Sequence, residues 1–180
     1  MPFAFGHLVF GWITGKIFEF KKRFIWGRFA WLALLFGAIF PDGDYLIQWT
    51  LGNAVHRQFT HSLLMIVVGF IIAYFISELL IKYKNLDINP RIVGFAFALG
   101  IITHLFADMA MGEYPGVALL WPLNYRFWFF TISNASYSSL PFVERNAGSL
   151  INTIKIMLVD MFLGVVWVGY LLWKNKIKEL

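Results

Sequence analysis

Four histidines and three aspartates stand in this chain at spacings that suit metal chemistry. His104 and Asp108 are four residues apart, so on a helix both side chains leave one face and reach the same ion or adjacent ions. Asp42 and Asp44 flank Gly43 directly after Pro41. Proline stops a helix by removing a backbone donor, glycine allows a tight turn, and two carboxylates so close repel unless a cation lies between them. In His56-Arg57-Gln58-Phe59-Thr60-His61, Thr60 is expected to cap a following helix, with His61 in its first turn and His56 in the loop before it. His7 completes the set.

Imidazole and carboxylate in a chain without cysteine suit a borderline divalent cation, Zn²⁺ first, with Mn²⁺ or Fe²⁺ as alternatives. Seven groups (His7, Asp42, Asp44, His56, His61, His104 and Asp108) exceed one tetrahedral shell and point to two ions bridged by an aspartate. Two ions roughly 3.5–4 Å apart generate hydroxide and clamp phosphoryl oxygens. Arg57, permanently charged and bidentate, is then the phosphate fork, and Asp44 or Asp108 takes the proton. Taken singly, each of these residues is as readily a helix cap or a hydrogen-bonded surface group. The metal reading rests on their falling together.

The elements that would bring them together are membrane helices. Apolar residues make up 59 % of the 180 and charged residues 14 %, against roughly 45–50 % and about 25 % in soluble domains. With 20 Phe, 8 Trp and 7 Tyr, a soluble domain of this size could not hide its apolar surface. The absence of cysteine excludes a disulfide scaffold. A membrane span needs about 20 mostly apolar residues, and the stretches 61–82, 91–111 and 151–173 qualify. Residues 3–18 and 27–40 are shorter. The first carries Gly11 and Gly15 as a small-xxx-small packing pair, and the second is closed by Pro41. The expected fold is an all-α polytopic bundle of about five helices, the first two short, in one domain over residues 1–180. No repeat or separable soluble domain interrupts it. The long connection 112–150, rich in aromatics, Gly, Asn and Ser, is expected to be functional or to cap something.

The basic residues orient the bundle. Under alternating topology eleven of the fifteen Lys and Arg share one side, among them Lys16, Lys21, Lys22, Arg23, Arg28, Lys82, Lys84, Arg91 and Lys174. That side is cytoplasmic by the positive-inside rule. The amino terminus then lies outside, the carboxyl terminus inside, and all seven ligands at the extracytoplasmic level of the cell's inner membrane. The net charge of +5 is topological and calls for no nucleic acid. No Lys or Arg precedes the first apolar run, so a secretory signal is not expected.

Other polar residues read differently. Asp160 lies deep in the last span and is expected to support a ligating histidine, or else to pack against a Ser, a Thr or Lys155. Glu113 and Glu144 read as solvated loop acids, and Glu19, Glu78 and Asp87 as cytoplasmic acids among basic neighbours. Trp121, Trp128 and Trp167 read as an interfacial belt. Asn134-Ala135-Ser136 fits a glycosylation acceptor that matches commonly by accident. Zincin, nucleophile-elbow, Walker and dinucleotide motifs are absent.

The ordered set Pro41-Asp42-Gly43-Asp44, His56-Arg57-x-x-Thr60-His61-Ser62, His104-x-x-x-Asp108 and Leu120-Trp121-Pro122, with the early His7, resembles the YdjM-type family of membrane-bound metal-dependent hydrolases over roughly residues 1–125. The resemblance implies a helical membrane protein with a metal site, distantly akin to zinc-dependent phospholipase C and single-strand nucleases. Tyr45 stands where a histidine often follows the second aspartate, and Gln58 where glycine is usual. The stretch from Asp108 to Trp121 departs as well, which bears on the pocket rather than on the ligands.

The expected function is a metal-dependent hydrolase of a phosphate ester, with a lipid or lipid-linked substrate met at the outer membrane boundary. Two other classes compete. Intramembrane Asp and His also serve proton or metal-ion transport, and a metal can staple a non-catalytic bundle.

Overall fold

The computed structural model describes residues 4–20, 27–51, 56–111, 116–123, 127 and 147–174. They form α1 (Ala4–Phe20), α2 (Arg28–Ile39), α3 (Asp44–Leu51), α4 (Leu63–Lys84), α5 (Pro90–Met111) and α6 (Ala147–Trp173). Four stretches are long and apolar enough to cross a membrane: Arg28–Ile47, Leu63–Lys84, Pro90–Ala110 and Ile154–Trp173. The fold is the expected all-α membrane bundle. Among the described residues the only β pairing is an isolated bridge between Val117 and Phe127.

The α-helix ends ahead of Pro41 as expected, at Ile39, but helical winding does not. The chain passes from α2 through a 3₁₀ turn, Phe40–Gly43, directly into α3. Proline removes a backbone donor, but its fixed φ suits the start of a helical turn, so the axis continues while the α-ladder breaks. A second 3₁₀ turn, Phe59–His61, precedes α4. Here the expectation is corrected. Ser62 caps α4, its hydroxyl accepting from the Met65 N–H at 3.3 Å. Thr60 is released for other contacts, and His61 lies ahead of the helix.

α5 is the axle. Of its membrane-length window 72 % is buried, against 22 % in α4 and 17 % in α6, whose outward faces are exposed apolar rows such as Val67, Ile71 and Phe75 of α4. α2 packs backbone to backbone on α5. A Cβ on Gly37 would run into the Phe97 carbonyl oxygen, and one on Gly100 into the Leu34 carbonyl oxygen. The small-xxx-small pair of α1 works as expected, Gly11 facing Ala38 and Gly15 receiving Trp31 and Leu34.

The two ends of the bundle differ in character. At one end lie Arg28, Lys82, Lys84, Arg91 and Lys174. There Lys16 pairs with Glu19 at 2.8 Å and stacks 4.7 Å over the Trp31 ring, whose indole N–H donates to Glu19 at 2.9 Å. Glu19 thus clamps α1 to α2. The opposite end gathers the histidines and aspartates.

Candidate metal centre

Four separate elements deliver the five ligands. His7 comes from the first turns of α1, Asp42 from the 3₁₀ turn after α2, His61 from the turn before α4, and His104 and Asp108 from consecutive turns of α5. His7, His61, His104 and Asp108 are fully buried, while the Asp42 side chain keeps 22 % of its surface exposed and marks the mouth.

The distances have the scale of a coordination shell. Nε2 of His61 and of His104 are 3.1 Å apart, and Oδ1 of Asp42 is 3.6 Å from each. Oδ2 of Asp108 lies 3.4 Å from His61 Nε2 and 3.7 Å from His104 Nε2. Ligands about 2.0–2.2 Å from a tetrahedral ion stand roughly 3.3–3.6 Å apart, so these four residues fit one. Oδ1 of Asp42 and both oxygens of Asp108 are buried without a hydrogen-bond partner among the described residues. Buried carboxylate oxygens in that state are costly unless a cation satisfies them.

The two imidazoles are set for the task through their other nitrogens. His104 Nδ1 donates to the Ala38 carbonyl at 2.8 Å. This carbonyl belongs to the last turn of α2, where the helix leaves it unpaired. The Thr60 hydroxyl donates to Asp44 at 2.5 Å, so it accepts from His61 Nδ1 at 3.0 Å. Both Nε2 lone pairs therefore face the centre, as outer partners commonly arrange for ligating histidines. Burial disfavours a charge on His61, but the carboxylates of Asp108, Asp42 and Asp44 around its ring outweigh that and raise its pKa to about 10.

His7 faces the opposite side of the same carboxylates. Its Nε2 is 3.4 Å from Asp108 Oδ1 and 3.8 Å from Asp42 Oδ2, and its ring stacks on His104 at 3.8 Å.

Asp44 and His56 stand beside this set rather than in it. Asp44 accepts from His56 Nδ1 at 2.7 Å, from Thr60, and from the Arg57 N–H at 3.3 Å, and its Oδ2 lies 3.4 Å from His61 Nδ1. A separation of 2.7 Å is a direct hydrogen bond and leaves no room for an ion between the two atoms. Asp44, His56 and His61 nonetheless form a second group close enough to hold a cation. The Tyr45 ring stacks on His56 at 3.9 Å, which gives the departure at this position a packing role.

Arg57 is buried and left-handed, with φ of 61°. A side chain rarely adopts that conformation, at a cost of roughly 1–2 kcal/mol. Asp44 holds its N–H, and its carbonyl accepts from the Ala118 N–H at 3.3 Å. The strained turn aims the side chain inward, with Nε 3.6 Å from Asp108 Oδ2.

Asp160 reaches a histidine only through the backbone: it accepts from the N–H groups of Phe5 and Gly6, directly ahead of His7, and makes no hydrogen bond to a histidine ring or to Lys155 among the described residues. Trp121 packs edge-on against Phe59, and Trp167 against Trp12. Glu113, Trp128, Asn134 and Glu144 lie outside the described residues. Sequence reasoning missed the Ala38 carbonyl, Tyr45 and the hydrogen-bonding role of Thr60. For Tyr45 the available signal was its place directly after Asp44.

No curated protein and no solved structure gives a significant match to the chain. Residues 1–177 match the model of the YdjM inner membrane protein family, in line with the resemblance carried by the motifs, and the chain belongs to that family.

Proposed function

We propose that this protein is a membrane-embedded, metal-dependent hydrolase that cleaves a phosphate ester of a lipid or lipid-linked molecule at the extracytoplasmic face. One observation carries the reading: Asp42 and Asp108 are two-sided. One oxygen of each faces the Nε2 atoms of His61 and His104, and the other faces His7. The first side completes a four-atom shell. The second offers three atoms and keeps positions open, as catalysis requires. Divalent cations held there supply Lewis acidity and water of lowered pKa, with Zn²⁺, Mn²⁺ and Fe²⁺ all compatible with the donors.

The chain's own residues do the rest. Arg57, beside Asp108, binds a phosphoryl oxygen and stabilises the charge that develops on it. His56 moves the proton: its Nδ1 is bonded to Asp44, and its Nε2 has no partner among the described residues. Asp44, bonded to His56, Arg57 and Thr60, orients that loop instead of taking the proton itself. A lipid substrate follows from location, since a centre at one end of membrane-length helices meets headgroups directly.

The test is turnover. Purified protein loaded with Zn²⁺ or Mn²⁺ is expected to release phosphate or an alcohol from phospholipid or lipid diphosphate, and Asp108→Ala to abolish this. Failure on phosphodiesters, phosphomonoesters and lipids alike, with cellular lipids unchanged in Asp108→Ala, would sink the proposal.

The four converging residues Asp42, His61, His104 and Asp108, enough for one tetrahedral ion, also favour a second reading, a metal staple without catalysis. A staple requires that chelation unfold the bundle, whereas a catalytic ion leaves with the helices kept.

A further inference from the structure

His61 and His104 are each anchored through the nitrogen that faces away from the centre. His7 is not. Neither of its ring nitrogens has a hydrogen-bond partner among the described residues. Beyond its stacking on His104 and its approach to the Asp108 and Asp42 carboxylates, its placement depends on the backbone of α1.

That backbone is held from the far end of the chain. Asp160, on α6, accepts from the Gly6 N–H at 2.6 Å and from the Phe5 N–H at 3.2 Å. The first N–H groups of a helix have no partner within it. Here a carboxylate from another helix satisfies two of them, and its charge is favourable at the positive end of the α1 dipole. Asp160 is 4 % exposed, although its neighbours Val159 and Met161 face outward. One turn on, Gly164 admits the Phe5 ring, where a Cβ would approach Phe5 Cγ to 2.5 Å. Gly164 and Asp160 thus both hold Phe5, and Asp160 holds Gly6 as well, directly ahead of His7.

We infer that Asp160 is the positioning residue for His7: by capping α1 from α6 it holds the imidazole against the second face of Asp42 and Asp108, and so sets the open cation position. The inference rests on reading the centre as a metal site, and its test separates the two. Wild type, His7→Ala, Asp160→Ala, Asp160→Asn and the double variant His7→Ala/Asp160→Ala are purified in detergent. Zn²⁺ stoichiometry and affinity are then measured, with thermal unfolding alongside.

Wild type is expected to bind two ions and His7→Ala to keep only the tighter one. Asp160→Ala should weaken the second ion about 10–100-fold and leave the first unchanged. Asp160→Asn, which retains one accepting oxygen, should fall between. In the double variant the loss should equal that of His7→Ala alone, because Asp160 acts through His7. Wild-type binding of the second ion by Asp160→Ala overturns the inference. So does a double variant that holds its remaining ion more weakly than His7→Ala, or a joint loss of both ions that Asp160→Asn reproduces. If wild type binds no Zn²⁺, the metal reading itself fails and this inference falls with it.

Discussion

Nε2 of His61 and Nε2 of His104 stand 3.1 Å apart in the buried interior, each ring anchored through its opposite nitrogen. Two lone pairs at that distance repel unless a proton or a cation lies between them. In the metal-free protein a proton serves, carried by His61. Burial works against that charge, and the surrounding Asp108, Asp42 and Asp44 more than compensate, which places the pKa near 10 rather than 6.5.

That proton must leave when a metal binds, so Zn²⁺ affinity is expected to rise about tenfold per pH unit through the neutral range, with about one proton released per ion at this position. The linkage to stability runs the other way. A raised folded-state pKa stabilises the metal-free fold fully below about 6.5, and the contribution is lost as pH rises through about 10. Titration calorimetry in buffers of different ionisation enthalpy measures the proton count. A pH-independent affinity would contradict the shared-proton arrangement.

The α2–α5 contact should control the centre from a distance. At Gly100 a Cβ would meet the Leu34 carbonyl and the Ala38 N, both backbone groups with little room to yield. Gly100→Ala is expected to cost roughly 1–3 kcal/mol by overpacking. It should also weaken metal binding, because α2 carries the Ala38 carbonyl and leads directly into the turn that holds Asp42, while α5 carries His104. Thermal unfolding and Zn²⁺ titration of the same variant check both effects. Gly27→Ala, where no atom lies within 4 Å of the added Cβ, serves as the control.

Arg57 separates binding from chemistry. Arg57→Ala is expected to lower turnover about 10²–10³-fold while metal content stays near wild type, because the shell atoms come from other residues. Arg57→Lys keeps the charge but loses the fork and should recover only part of the rate. Steady-state rates beside metal analysis decide the matter. A variant that loses its metal as well would assign Arg57 to the centre's structure instead.

Much of this was legible in the residues. The i, i+4 pair His104 and Asp108, the aspartates after Pro41, and the alternation of spans were enough to predict one convergent cluster, and His7, Asp42, His61, His104 and Asp108 do converge. What stayed hidden depends on backbone groups brought together by tertiary packing. The Ala38 carbonyl anchoring His104, the amides capped by Asp160, and the Leu34 and Phe97 carbonyls facing glycines have no side-chain signature. Thr60 misled because a threonine ahead of a helix reads as a cap, and only the fold shows Ser62 in that role with Thr60 joined to Asp44.

The charge asymmetry of the bundle predicts which face the centre opens to. The chain has no cysteine, so single cysteines can be introduced without background. Asp87→Cys lies exposed in the connection between α4 and α5, at the basic end. Leu123 is 56 % exposed in the segment whose Leu119 carbonyl accepts from the Leu63 N–H, two residues after His61, and Leu123→Cys marks that end. In intact cells or spheroplasts a membrane-impermeant thiol reagent is expected to label Leu123→Cys, and to reach Asp87→Cys only after the membrane is opened. The reverse pattern would turn the centre toward the cytoplasm. The cation chemistry would then stand, but the substrate would have to be sought among headgroups of the inner leaflet.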